Sequence, residues 1–92
     1  MGGSFSQPLL IHSVPPAYPL AALQRKTQGV VRFQATIAKD GSVKNLQLLS
    51  GDPLLDVAAK AAVLQWKYRP ALLNGEPVEV TQGIIVKFNL SQ

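Results

Sequence analysis

Two alternating stretches joined by an Asp-Gly turn constrain this chain more than any other feature. Val31, Phe33, Ala35 and Ile37 alternate with Arg32, Gln34 and Thr36, the pattern of a half-buried strand that starts near Val30. Lys39-Asp40-Gly41-Ser42 follows, and Asp-Gly tolerates the positive φ that tight hairpins require. The chain must therefore return antiparallel along Val43 to Ser50. Lys44 lies beside Leu46 and Leu48 there, which leaves the register of this second strand open.

Ser50-Gly51-Asp52-Pro53 then starts a helix, with Asp52 as N-cap and Pro53 at the first helical position. Leu55, Ala59, Ala62 and Trp66 recur at helical spacing and mark its buried face, while Asp56, Lys60 and Lys67 look outward. The same pattern carries the helix to Arg69-Pro70 and makes Trp66 a core anchor, in a core that also holds Phe33 and Ile37; Tyr68 is expected to keep its hydroxyl in water. Leu73-Asn74-Gly75-Glu76 reads as a turn. A last strand places Val80, Ile84, Val86, Phe88 and Leu90 on one side, with Thr81, Lys87 and Asn89 on the other.

Upstream, residues 1–8 read as a disordered tail, Met1-Gly2-Gly3-Ser4 resembling appended residues. Leu9 to Val14 suits a short strand stopped by Pro15-Pro16. Tyr18-Pro19 opens a helix through Leu20 to Gln24, with Arg25 and Lys26 at its C-terminal end and Gly29 as terminator. The expected fold is α+β, a single domain over residues 9–92. It has a small antiparallel sheet of three main strands, room for a short fourth, and two helices on one face, in the order (β)αββαβ.

Geometry then orders the sheet. A helix after the second hairpin strand carries the chain back, so the last strand runs in that strand's direction. In a purely antiparallel sheet it must lie beside the first hairpin strand. One flank of the last strand is then unpaired. Thr81 to Leu90 carries a single charge, Lys87, and no proline, although proteins usually guard such an edge with charges or proline. A partner peptide added as an extra strand explains the edge. The alternative is that Leu9 to Val14, or a second copy of the chain, covers it.

Composition excludes much else. There are 92 residues with no cysteine, a formal charge of +4, 47% apolar and 15% charged residues. That rules out a disulfide framework or a thiol nucleophile, and the apolar share argues against disorder. No apolar run approaches the roughly 18 residues that span a membrane. No G-x-S-x-G elbow, phosphate loop or H-E-x-x-H motif is present. His12 is alone, and Asp52 and Asp56 are explained as cap and dipole partner. Hence no enzyme, cofactor or metal is expected. The element order and positive charge also suit an RRM-like sheet. However, Val43 to Ser50 offers no stacking aromatic, and Arg25, Lys26, Arg32, Lys44, Lys67 and Arg69 are spread along the chain. No nucleic-acid partner is expected.

Several short motifs then converge. They are Ala17-Tyr18-Pro19, Gly29, Asp40-Gly41-x-Val43, Ser50-Gly51, Ala61-Ala62-x-x-x-Trp66-Lys67-Tyr68-Arg69-Pro70 and Val86-x-Phe88. In this order they resemble the C-terminal domain of TonB-type energy transducers, over nearly the whole chain. The resemblance implies a periplasmic domain of a Gram-negative bacterium, joined through a proline-rich linker to an inner-membrane helix. It implies binding to the Ton box of outer-membrane transporters for siderophores, cobalamin and similar cargo. Force would come from an inner-membrane, proton-driven motor complex. The contact strand would be Thr81, Gln82, Gly83, Ile84, Ile85, Val86, Lys87, Phe88, Asn89 and Leu90, with Ala17, Tyr18 and Pro19 near the transporter. Related domains on sensor or scaffold proteins bind peptides or form homodimers through the same edge. Two departures stand out: Val14-Pro15-Pro16-Ala17 replaces a polar, glutamine-bearing stretch, and Leu72 to Val78 resembles a subgroup with an extra turn.

Overall fold

The computed structural model describes residues 3–90; Met1, Gly2, Ser91 and Gln92 lie outside the described residues. The hairpin forms as the alternation requires. Strand β3 (Gly29–Ile37) and strand β4 (Val43–Ser50) run antiparallel, and the last strand, β8 (Val80–Phe88), pairs antiparallel with the other side of β3. The order β4-β3-β8 is the one imposed by a hairpin followed by a returning helix. Two further small sheets complete the fold, whose described residues span 56 × 23 × 19 Å.

The two neighbours of β3 in the sheet differ. Its pairing with β8 runs without a break from Gly29↔Phe88 to Ile37↔Val80. Its pairing with β4 shifts register twice, between Arg32 and Phe33 and between Gln34 and Thr36. The extra residues all lie on β4, where Asn45 takes a φ of 52°. These bulges twist β4 and are the physical reason that its alternation is unreadable in the sequence.

Helix α2 (Pro53–Val63) starts on Asp52, whose carboxylate accepts from the Leu54 N–H at 2.8 Å. Leu55, Ala59, Ala62 and Val63 are buried, and α2 packs on β3 and β4. The small alanines allow that close approach. Leu55, Ala59 and Val63 form one core cluster with Val31, Phe33, Ala35 and Ile37 of β3 and Ile84, Val86 and Phe88 of β8. Helix α1 (Leu20–Gln24) follows Pro19, which is the N-cap residue. It is closed by Lys26, not Gly29. Lys26 adopts a φ of 54°, and the Thr27 N–H donates to the Ala22 carbonyl at 2.8 Å, a Schellman closure.

Three expectations are corrected. Helix α2 ends at Val63, with Leu64 as its C-cap, so Trp66 is not on it. Residues beyond form strand β5 (Lys67–Arg69), which pairs with β2 (Leu9–His12). Tyr68, expected to be open to water, is 7% exposed, and burial pushes its phenol pKa up. Within the tail expected to be disordered, Phe5–Ser6 forms β1, paired with β6 (Ala71–Leu73). Ser4 and Asn74 add a reciprocal pair of hydrogen bonds at 2.9 and 2.7 Å. The Leu73–Glu76 turn closes a hairpin of β6 and β7 (Glu76–Val78), with Asn74 and Gly75 both at positive φ, the Asn-Gly signature of a type I′ turn.

Trp66 is half-buried against the core, and its indole N–H donates to the Val14 carbonyl at 2.9 Å. It therefore fixes the segment entering Pro15-Pro16 to the end of α2. Trp66→Ala is expected to cost about 2–4 kcal/mol, less than a fully buried tryptophan, through lost packing and an orphaned carbonyl. Trp66→Phe should recover most of that. Urea unfolding of both variants checks this, and a loss within about 0.5 kcal/mol for Trp66→Ala contradicts it.

Candidate functional site

Eight of the ten residues expected to contact a partner, Thr81 to Phe88, fall on β8, and the ladder sorts them by parity. The Ala38 N–H donates to the Ser42 carbonyl, so the backbone of Ala38 faces the β4 side. Successive residues of a strand point their backbone groups to opposite sides. Because β3 is regular, Ile37, Ala35, Phe33, Val31 and Gly29 point toward β8 and bond to Val80, Gln82, Ile84, Val86 and Phe88, their partners in register. The Leu90 N–H, donated to the Gln28 side chain at 2.8 Å, continues the same parity. Thr81, Gly83, Ile85 and Lys87 therefore present their N–H and C=O groups outward.

Side chains follow the same alternation. Ile84, Val86 and Phe88 are buried in the core, whereas Thr81, Gly83, Ile85 and Lys87 are exposed on the face away from the helices. Gln82 is partly buried. Asn89 and Leu90 lie beyond the strand end at Phe88. The ten expected contact residues thus divide into a core-facing set, an outward-facing set and a short extension.

Among the described residues no strand pairs with the outer flank of β8. Leu9 to His12, one suggested cover, is committed to β5 instead. The opposite edge, β4, is broken by its bulges and carries Lys44, in an ion pair with Glu79 at 2.7 Å. Bulges and charges blunt an edge. β8 has nine residues in unbroken register and Lys87 as its one charge, so it is the flank open to strand addition. The open face of the sheet includes Arg32, Gln34, Thr36 and Gln47 but no aromatic ring; Phe33 and Phe88 face the core.

Tyr18 sits at the end of this edge. Its ring meets Phe88 edge-on, with centroids 5.3 Å apart, and its hydroxyl donates to the Thr27 carbonyl. Tyr18 and Pro19 are partly buried and Ala17 is exposed. The Tyr-Pro segment therefore locks the start of α1 onto the end of β8. Sequence reasoning did not single out Arg32 and Leu49, which border Gly83 and Ile85 on the open face; Leu49 arrives there through the β4 bulge, which no local pattern signals. His12 lies on β2 opposite Lys67, far in sequence from any carboxylate.

At the hairpin turn, the Ser42 hydroxyl and N–H both donate to Asp40, at 2.7 and 2.9 Å. The Ser42 hydroxyl, then its N–H, lowers the Asp40 carboxyl below its ordinary value. This is turn chemistry.

Comparison with known proteins adds to this geometry. A family model described as the Gram-negative bacterial TonB protein C-terminal matches residues 14–90. Protein TonB of Vibrio cholerae is 35% identical across 96% of this chain and 40% of its own length. Protein TonB of Escherichia coli K12 is 30% identical across 91% of this chain and 35% of its length. The solution NMR structure of the Pseudomonas aeruginosa TonB CTD superposes with a TM-score of 0.75 at 24% identity, over 95% of this chain and 90% of that one; it bears on the fold alone. The chain spans 40% or less of the length of these curated relatives.

Proposed function

Since the chain belongs to the family of TonB protein C-terminal domains, a non-enzymatic family, we propose that it is the partner-gripping end of an energy transducer. Its β8 edge takes the Ton box of an outer-membrane TonB-dependent transporter as an added strand. Force from an inner-membrane complex driven by the proton-motive force is then passed to the transporter, for uptake of siderophores, cobalamin or similar cargo. In this reading the domain works in the periplasm, anchored to the inner membrane by a segment outside this sequence. Ala17, Tyr18 and Pro19 lie near the transporter.

The observation that carries this reading is the outward backbone of Thr81, Gly83, Ile85 and Lys87, unpaired by any described strand. A backbone hydrogen bond contributes only about 0.5–1.5 kcal/mol net, so such a grip releases readily at rest. Pulled along the strand, the bonds are loaded together and must break together. Weak resting affinity and resistance to shear thus coexist.

Titrating the domain with a Ton box peptide, followed by backbone amide chemical shifts, tests the proposal. Shifts are expected to concentrate in Thr81 to Phe88. Shifts confined to β4 or to the helices, or none at millimolar peptide, contradict it. Concentration-dependent shifts of the same amides without peptide would instead identify a homodimer through β8.

A further inference from the structure

Gly83 stands inside a nine-residue strand that gains nothing from a glycine. Its φ is not positive, and a Cβ built on it meets no atom within 4 Å. Any side chain fits there in the free molecule. A glycine in a strand interior forfeits a cross-strand partner and often marks a close approach by a ligand or another backbone. The missing side chain leaves a notch of about 240 Å³ on the open face, lined by Arg32, Phe33, Leu49, Gly83, Ile84 and Ile85.

The notch adjoins the edge argued above, because Gly83 is one of the residues whose backbone points outward. The residue of an added strand that pairs with Gly83 puts its own side chain on the same face, beside the notch. Aromatic side chains covering a cross-strand glycine are an established way of stabilising such a site. Charge narrows the occupant further. Strands β3, β4 and β8 contain Arg32, Lys44 and Lys87 and no carboxylate. Among the described residues the single ion pair is that of Lys44 with Glu79, so Arg32, in the notch lining, and Lys87, on the edge strand, are exposed without an acidic partner.

We propose that Gly83 sets partner specificity: the notch takes an aromatic or large aliphatic side chain from the strand residue paired with Gly83, in a peptide with acidic flanks. This rests on the strand-addition reading of β8 and adds to it which side chain is selected, and where.

The probe is a capped nine-residue peptide, Glu-Thr-Val-Thr-X-Thr-Val-Thr-Glu, with X either Phe or Ala. On the unaltered domain, Phe is expected to bind about threefold to tenfold more tightly than Ala. On Gly83→Val the ratio should fall below about twofold, because the new side chain fills the notch. The variant should melt at or above the temperature of the unaltered domain; Gly83→Ala serves in its place if valine disturbs folding. With the Phe peptide, ring-to-methyl Overhauser contacts to Leu49 and Ile85 are expected. Replacing both terminal Glu residues by Lys should weaken binding, and equal binding would overturn the acidic-flank assignment. An equal preference for Phe on both proteins, with the β8 amides shifting in each, overturns the notch while strand addition stands. Amides of β8 that move with neither peptide overturn strand addition and the notch together.

Discussion

Ile85→Pro is expected to leave the domain folded and to abolish the addition of a partner strand, whereas Val86→Pro, one residue on, is expected to prevent folding. The Ile85 N–H points away from β3, and the residue is 52% exposed. Proline there deletes an outward donor, and its ring obstructs the partner; no bond of the β3 ladder is touched. A stability loss of about 1–2 kcal/mol is expected, with peptide affinity down at least about tenfold. Val86 has the opposite parity and is 4% exposed. Its replacement removes a ladder donor, leaves a buried carbonyl on Val31 unsatisfied and empties part of the core, for at least about 4 kcal/mol in all. Urea unfolding and peptide titration of both variants check the pair. Unfolding of Ile85→Pro together with tolerance of Val86→Pro would mean that the parity of β8 is reversed.

Gly41→Ala should be the most damaging single methyl in the molecule. Gly41 adopts a φ of 87°, and its carbonyl accepts from the Tyr68 N–H at 2.9 Å. A Cβ at Gly41 would lie 1.9 Å from the Tyr68 carbonyl oxygen, a backbone atom that cannot rotate away. Positive φ and the clash add, and about 3–5 kcal/mol is expected. Against a usual total of about 5–15 kcal/mol that is a large fraction. Gly75 provides the control. Its φ is 83°, yet nothing lies within 4 Å of its built Cβ, so Gly75→Ala should cost only about 1–2 kcal/mol. Urea midpoints distinguish the two; equal losses would show that the contact with Tyr68 is not what makes Gly41 irreplaceable.

The contrast also explains what was legible in the sequence. The alternation of Val31 to Ile37 and of Ile84 to Phe88 is set by burial of one sheet face, and burial leaves its period in the residues. Asp52-Pro53 is likewise a local device. From these pieces the order β4-β3-β8, and the open flank that defines the candidate site, followed by geometry alone. Lys67–Arg69 reads as helix in the sequence because Leu55, Ala59, Ala62 and Trp66 keep helical spacing past the true end at Val63. Three residues are too few to show a period of two, and β5 exists because Leu9–His12 lies beside it, a partner more than fifty residues away. The bulges of β4 hid the arrival of Leu49 next to Gly83 for a similar reason: they answer to the neighbouring strand. Lys26 took the left-handed position that Gly29 was expected to fill, at the cost that a side chain pays there, because the helix is only five residues long.

Amide hydrogen exchange along β8, residue by residue, tests the central claim most directly. In the dilute free domain the amides of Gln82, Ile84, Val86 and Phe88 should be protected, while those of Gly83, Ile85 and Lys87 exchange at nearly the rate of an open chain; saturating Ton box peptide should slow the second set and leave the first unchanged. Protection of Gly83, Ile85 and Lys87 before any peptide is added, or their continued rapid exchange at saturation, would contradict the account.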